Sequence, residues 1–197
     1  MGTLLQLQKR SMALAGLVMA AYLIFHMLTN LSFFYEASFS GFYQWYNSGL
    51  IRWLVLSIMV VAIIIHVKAA IRIRKANAKA RTIDYKKHDK FKIPELFVTA
   101  SIIFLLTFIV VHIIQALMFD TDKLYSEITQ LFQSELMVLF YLAGLFVLMM
   151  HLQHSLANVL QTLGKTSVTC HSLVWIGSLL LTGGFALIPL YIYFVLS

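Results

Sequence analysis

Long apolar runs alternate with short polar ones along the chain, and within each run the apolar residues are continuous rather than alternating with polar ones. Five runs, at about 11–34, 50–72, 95–119, 135–158 and 173–196, reach the roughly 20 residues needed to cross a hydrocarbon core. Runs of this kind predict helices, which satisfy their own backbone polar groups in lipid, whereas barrel strands are short and alternate in polarity. The first run follows a polar start with Lys9 and Arg10, as a signal peptide does. It is too long for a signal peptide's apolar core and no small-residue cleavage motif ends it, so it reads as a retained span. The expectation is a single all-α integral membrane domain over 1–197.

The connecting stretches differ in character. Residues 35–49 read as a short loop rich in aromatic and small polar residues, with tyrosines and Trp45 suited to a membrane interface. The basic stretch after the second run continues that helix before breaking ahead of Pro94. The acidic, amphipathic DTDKLYSEITQLFQSE predicts a short helix on the outer surface. Gly177, Gly183, Gly184 and Pro189 mark the fifth run as a packing helix whose glycines admit close contact.

Composition agrees with the pattern. The chain is 60% hydrophobic and 12% charged, with a mean hydropathy of +0.84, well beyond the apolar share of about 45–50% typical of soluble domains. A net charge of +7 taken alone would suit a nucleic-acid partner, yet ten of the fifteen Lys and Arg residues lie between Lys68 and Lys92. The positive-inside rule makes that stretch cytoplasmic. Threading five spans puts Lys9, Arg10 and Lys165 on the same side and leaves Arg52 and Lys123 outside. The N-terminus is then cytoplasmic and the C-terminus outside, and no nucleic acid is needed to explain the charge; the basic run also suits anionic headgroups or an acidic protein surface. The single cysteine, Cys170, sits beside a polar inter-helix loop and does not report a redox compartment.

Histidines carry the candidate chemistry. His26, His66, His112 and His151 lie one in each of the first four runs. His26 and His112 fall to the outer side of centre, and His66 and His151 to the inner side. They form two pairs at two depths, each drawn from non-adjacent helices and facing across the diagonal of a four-helix bundle. A lone histidine in a membrane helix has a plain role, hydrogen bonding across a helix interface. Matched depths argue against four such coincidences, and a zinc or copper site would gather its ligands at one depth. A planar macrocycle fits better: two haem b groups, each with two neutral axial imidazoles, have no open iron position and suit electron transfer. Asn30 lies one turn beyond His26; Ala62, Ala69 and Ala70 share the face of His66; Ala116 follows His112, and Gly144 and Ser155 flank His151. Those small neighbours leave room for porphyrin edges. Arg10 and Lys165 are candidate propionate partners of the inner haem. His154, one turn from His151, is an alternative ligand or a partner for a propionate or quinone; His171 reads as interfacial and His88 as part of the solvated basic stretch. No phosphate loop, nucleophile elbow or paired intramembrane carboxylates are present, and Glu36, Glu127 and Glu135 fall in or beside outer loops, where exposure is the default.

Five blocks resemble a known family: MALAGL with FHMLTNL around His26, HVKAAIRIRKANAKAR from His66, FIVVHII around His112, DKLYSEITQLFQSELMVLFY, and HLQHSLANVLQTLG from His151. The chain resembles, over nearly its whole length, the single-subunit five-helix di-haem cytochrome b anchor of succinate dehydrogenases and fumarate reductases. In that family the last ligand stands thirteen residues before a closing glycine, and His151, Ser155 and Gly164 match, which favours His151 over His154. The resemblance implies an anchor in the bacterial inner membrane that does not itself transform succinate or fumarate. It implies a flavoprotein subunit and an iron–sulfur subunit on the cytoplasmic face, and quinone, menaquinone in particular, reacting near the outer haem. Some relatives carry a glutamate two residues before the last ligand, linked to proton movement; Met149 stands there here. The usual glycine after that ligand is Ser155, and Ile93, Pro94 and Glu95 replace a polar helix entry. The alternatives are the cytochrome b anchor of a hydrogenase or formate dehydrogenase, and a non-redox membrane scaffold.

Overall fold

The computed structural model describes residues 2–80, 95–162 and 167–196. His88, Pro94, Gly164 and Lys165 lie outside them, so the expected break at Pro94, the glycine stop and the Lys165 propionate contact do too. Seven α-helices make up the described chain: α1 Gly2–Leu31, α2 Glu36–Asn47, α3 Ile51–Ala80, α4 Glu95–Met118, α5 Leu124–Phe132, α6 Glu135–Thr162 and α7 Val168–Tyr191, with 3₁₀ turns at Ser32–Phe34 and Thr121–Lys123 and a π-turn at Ile192–Leu196. No strand occurs among the described residues. Five helices are long and apolar enough to span a membrane: Leu4–Phe34, Ile51–Lys79, Phe97–Met118, Glu135–Leu160 and Val168–Leu196. Large apolar side chains such as Leu14, Leu54, Ile103, Leu139 and Leu180 are exposed along them, as a lipid-facing surface requires. The chain is an all-helical, multi-pass membrane protein.

Several boundaries move outward from the sequence expectation. The first helix begins at Gly2 rather than near residue 11, because Leu4 to Gln8 are strong helix formers with nothing to break the chain. The second runs on through Arg72, Arg74, Lys75 and Lys79 to Ala80, as the basic stretch led one to expect. The fifth starts at Val168, where the Ser167 side chain caps it by accepting from the Cys170 N–H at 3.2 Å. Cys170 therefore lies in the first turn of the helix.

The larger correction concerns residues 35–49. They form α2 rather than a loop, after the 3₁₀ turn at Ser32–Phe34. Phe39 with Tyr43, and Phe42 with Tyr46, recur four residues apart, and such pairs are neighbours on a helix surface. The expected helix in 120–135 is α5, preceded by the turn at Thr121–Lys123, in which the Asp120 side chain accepts from the Asp122 N–H.

Contacts divide the chain into two compact units, Met1–Phe25 with Gly49–Lys92, and His26–Ser48 with Ile93–Ser197. In the first, α1 meets α3, and the buried side chains are small or single apolar groups: Ala15, Ala62, Ala69 and Ile73. Small side chains let helix backbones approach, which is how helices pack where lipid supplies no hydrophobic drive.

In the second unit α6 is central. Val138, Tyr141, Leu145, Leu148 and Leu152 are its buried stripe, spaced alternately three and four residues as a helix seam demands. α7 packs on α6, burying Ser178, Thr182, Ile188 and Pro189; the Thr182 hydroxyl donates to the Ser178 carbonyl at 2.8 Å. The glycines of α7 play a narrower part than expected: a Cβ on Gly184 would lie 2.8 Å from Met27 Sδ, but Gly177 and Gly183 face open space. Pro189 has no N–H to extend the helical ladder, and the π-turn follows three residues later.

One end of this unit is closed by aromatic rings. Phe33, Phe39 and Phe132 are buried. Phe33 stacks on Tyr125 with centroids 4.5 Å apart and meets Phe39 edge-on at 5.3 Å, while Phe132 lies edge-on to Tyr141 at 4.8 Å. Such aromatic pairs add about 0.5–1.5 kcal/mol each beyond the area they bury. The cap ties α2 to α5 and packs α5 against α6.

Candidate functional site

His26 and His112 come together. Their ring centroids are 5.9 Å apart at an interplanar angle of 61°, and both rings are partly buried. Phe185 lies 5.5 Å from His26. Phe108 lies 6.3 Å from His112 and nearly parallel to it, at 22°.

Hydrogen bonds fix which nitrogen of each ring carries the proton. The Tyr141 hydroxyl donates its one proton to Gln115 Oε1 at 2.7 Å. Its oxygen therefore accepts in the 3.3 Å contact with His112 Nδ1, so Nδ1 carries a proton. Gln115 is itself held by its Nε2, which donates to Met137 Sδ at 3.6 Å. On the other side, the Tyr43 hydroxyl donates to Asn30 Oδ1 at 2.5 Å, which orients the Asn30 amide N–H toward His26 Nε2 at 3.5 Å. That nitrogen is the acceptor, held at long range. His112 thus donates through Nδ1, while His26 accepts at Nε2.

Tyr43, on α2 outside the spans, is a dependable donor. Burial chiefly pushes its pKa up to about 12, with the hydrogen-bond contact to Thr29 opposing and Tyr46 adding, so the phenol stays protonated at physiological pH. Tyr125 in the cap is also raised, by burial first and then by Glu36 and Tyr191. Of the acidic residues, Glu36 and Glu135 are exposed at the starts of α2 and α6, while Glu127 in α5 is half-buried, against expectation.

His66 lies in the first unit. Its Nδ1 is 3.1 Å from the Met12 carbonyl, which can only accept, so this ring too is protonated at Nδ1 and presents Nε2. Gly16, one turn along α1, would place a Cβ 3.5 Å from the ring, in ordinary contact. Met12 and Gly16 therefore cradle His66 from the same face of α1. His151 lies in the second unit, partly buried on α6. Gly144 lies two turns before it on the same face, packed so closely by Phe108 that a Cβ would meet the ring. Ser155 one turn on donates to the Leu152 carbonyl at 3.3 Å.

The remaining candidates separate from these. His154 is exposed and its Nε2 lies 3.1 Å from Asn158 Nδ2, an acceptor in a local pair one turn apart. His171 sits in the first turn of α7, its N–H bonded to the Ser167 carbonyl at 3.2 Å. Arg10 is exposed. Sequence reasoning did not single out Tyr43, Gln115 or Tyr141, which orient the His26 and His112 pair. The signal was slight: Gln115 stands three residues after His112, and Tyr141 three before Gly144. In comparisons with known proteins, the chain matches no family model, no curated protein and no solved structure.

Proposed function

We propose that this chain is the membrane anchor and electron-transfer subunit of a succinate:quinone oxidoreductase of a bacterial inner membrane. In this reading its N-terminus and basic α3 end face the cytoplasm and its C-terminus faces outside. His26 and His112 hold one haem b, and His66 and His151 the second. The iron–sulfur subunit, docked with a flavoprotein subunit on the cytoplasmic face, exchanges electrons with the inner group. Quinone, in particular menaquinone, reacts near the outer one.

The observation that carries the reading is the His26 and His112 pair: two imidazole rings on different helices, centroids 5.9 Å apart. The donor set fits. Metal-binding histidines almost always donate the opposite N–H to a carbonyl or another oxygen, and His112 does so to Tyr141 while His66 does so to Met12. The space beside the pair also bears on fit: Phe108 and Phe185 now line the rings and must turn aside to admit a macrocycle. When bound, a haem with two imidazole ligands supplies one-electron transfer without an open coordination position. The chain's own residues orient the rings, and the aromatic cap closes the end beside them.

Purified protein, expressed with its partner subunits and ample haem, tests this. Changing His26 or His112 to Ala should remove about half of the b-type haem and leave the rest, and His66→Ala or His151→Ala should remove the other half. A full two-haem spectrum after the His66→Ala/His151→Ala double substitution would sink the assignment. Co-purification of a flavin-containing, succinate-oxidising partner is the expected companion result; a nickel or molybdenum partner would place the anchor with another enzyme.

A further inference from the structure

A groove of about 270 Å³ opens between α1 and α3 in the first unit, on the basic end of α3. Leu7 and Ile65 form apolar walls, and Gln8, Ser11, Lys68 and Arg72 bring polar groups to the same space. Lys68 and Arg72 are four residues apart, so they lie one above the other on one helix face. Both side chains are exposed, and neither forms an ion pair among the described residues. By helical rotation of about 100° per residue, His66 projects well to the side of the Ile65, Lys68 and Arg72 face. The groove is thus distinct from the contact between His66 and Met12.

The polar groups are not equivalent. The Ser11 hydroxyl spends its proton on the Leu7 carbonyl at 2.9 Å, so toward the groove it can only accept. Lys68 and Arg72 can only donate, and Gln8 does both. The groove therefore asks for an anion near α3, a hydroxyl-bearing group near α1 and an apolar tail running along Leu7 and Ile65. We infer that it binds one anionic glycerophospholipid of the phosphatidylglycerol type. The phosphodiester lies between Lys68 and Arg72, the glycerol hydroxyls donate to Ser11 and Gln8, and an acyl chain follows the apolar wall. Phosphatidylcholine offers the same phosphate but a bulky cation where Lys68 and Arg72 stand and no hydroxyl for Ser11.

Native mass spectrometry of the detergent-purified full chain tests this with added phosphatidylglycerol, phosphatidylcholine of the same acyl chains, or inorganic phosphate. One phosphatidylglycerol should be retained per chain, while phosphatidylcholine is washed out and phosphate does not displace the lipid. Lys68→Ala/Arg72→Ala should weaken retention about thirtyfold, since each cation near an anionic lipid contributes a few-fold. Lys68→Arg/Arg72→Lys, which keeps both charges, should retain it and shows that the Ala variant's loss is not one of folding. Equal retention of phosphatidylcholine, or full displacement by inorganic phosphate, overturns the inference. So does loss of haem absorbance from the Ala variant with lipid retention unchanged, which would assign the cations to a propionate. The readout is the lipid itself, so it stands whether or not the chain binds haem.

Discussion

At the scale of single residues, the orientation of His26 and His112 depends on the polar side chains beside them. Tyr141→Phe removes the oxygen that accepts from His112 Nδ1 and the proton that reaches Gln115. If the pair holds haem as proposed, the change should lower haem affinity there by about tenfold, in line with losses of such supporting groups. Midpoint potential is the second readout: without an acceptor, Nδ1–H leaves the ring less electron-rich, so the outer haem should shift upward in redox titration. An unchanged potential would show that Tyr141 only packs. His154→Ala is the contrasting case. Its ring is occupied with Asn158 on an exposed face, so full two-haem absorbance is the expected outcome, where His151→Ala should lose half. The histidines themselves were legible because an imidazole in an apolar run is conspicuous. Tyr43, Gln115 and Tyr141 were not, because a hydrogen bond between helices depends on their rotation and register, which spacing within one helix does not encode.

Elements show the same division. The five spans were legible from hydrophobic length alone, and α5 from its amphipathic pattern. α2 was not, because tyrosines and Trp45 suit a membrane interface as well as a helix, although Phe39, Phe42, Tyr43 and Tyr46 recur at helical spacing. In the structure Phe39 packs into the aromatic cap against Phe33 and Tyr125: Phe39→Ala should cost about 3–5 kcal/mol, as for other buried phenylalanines. Thermal unfolding in detergent checks this, and a change under about 1 kcal/mol would mean the cap is not a packed core. Two glycines make a sharper pair. At Gly16 a Cβ has ordinary clearance from His66, whereas at Gly144 it collides with Phe108. Gly16→Ala should therefore be neutral or stabilising, because alanine is favoured in a helix by about 1 kcal/mol. Gly144→Ala should cost about 1–3 kcal/mol through overpacking, and Phe108→Leu should restore much of that loss.

The whole molecule supplies its own reporter of orientation. Cys170, the only cysteine, sits partly exposed in the first turn of α7. If the basic end of α3 faces the cytoplasm, that turn does too. A membrane-impermeant maleimide should then label Cys170 in inverted vesicles and leave it unlabelled in intact cells; the opposite pattern would reverse the proposed topology. The proposed orientation rests on charge, since ten basic residues lie between Lys68 and Lys92; the division of contacts into two units had no counterpart in the hydrophobic pattern. The length of α3 has one more consequence. Its 30 residues make a rod of about 45 Å at 1.5 Å per residue, against a hydrocarbon core of about 30 Å. About three turns must stand clear of the oil, and Arg72, Arg74, Lys75 and Lys79 occupy the end that does so. Those charges act as a plimsoll line: the helix cannot sink past them, and His66, six residues or about 9 Å below Arg72, is held at a fixed draught beneath the surface. Any redox centre on that ring inherits its distance from a docked electron donor from where the first arginine floats.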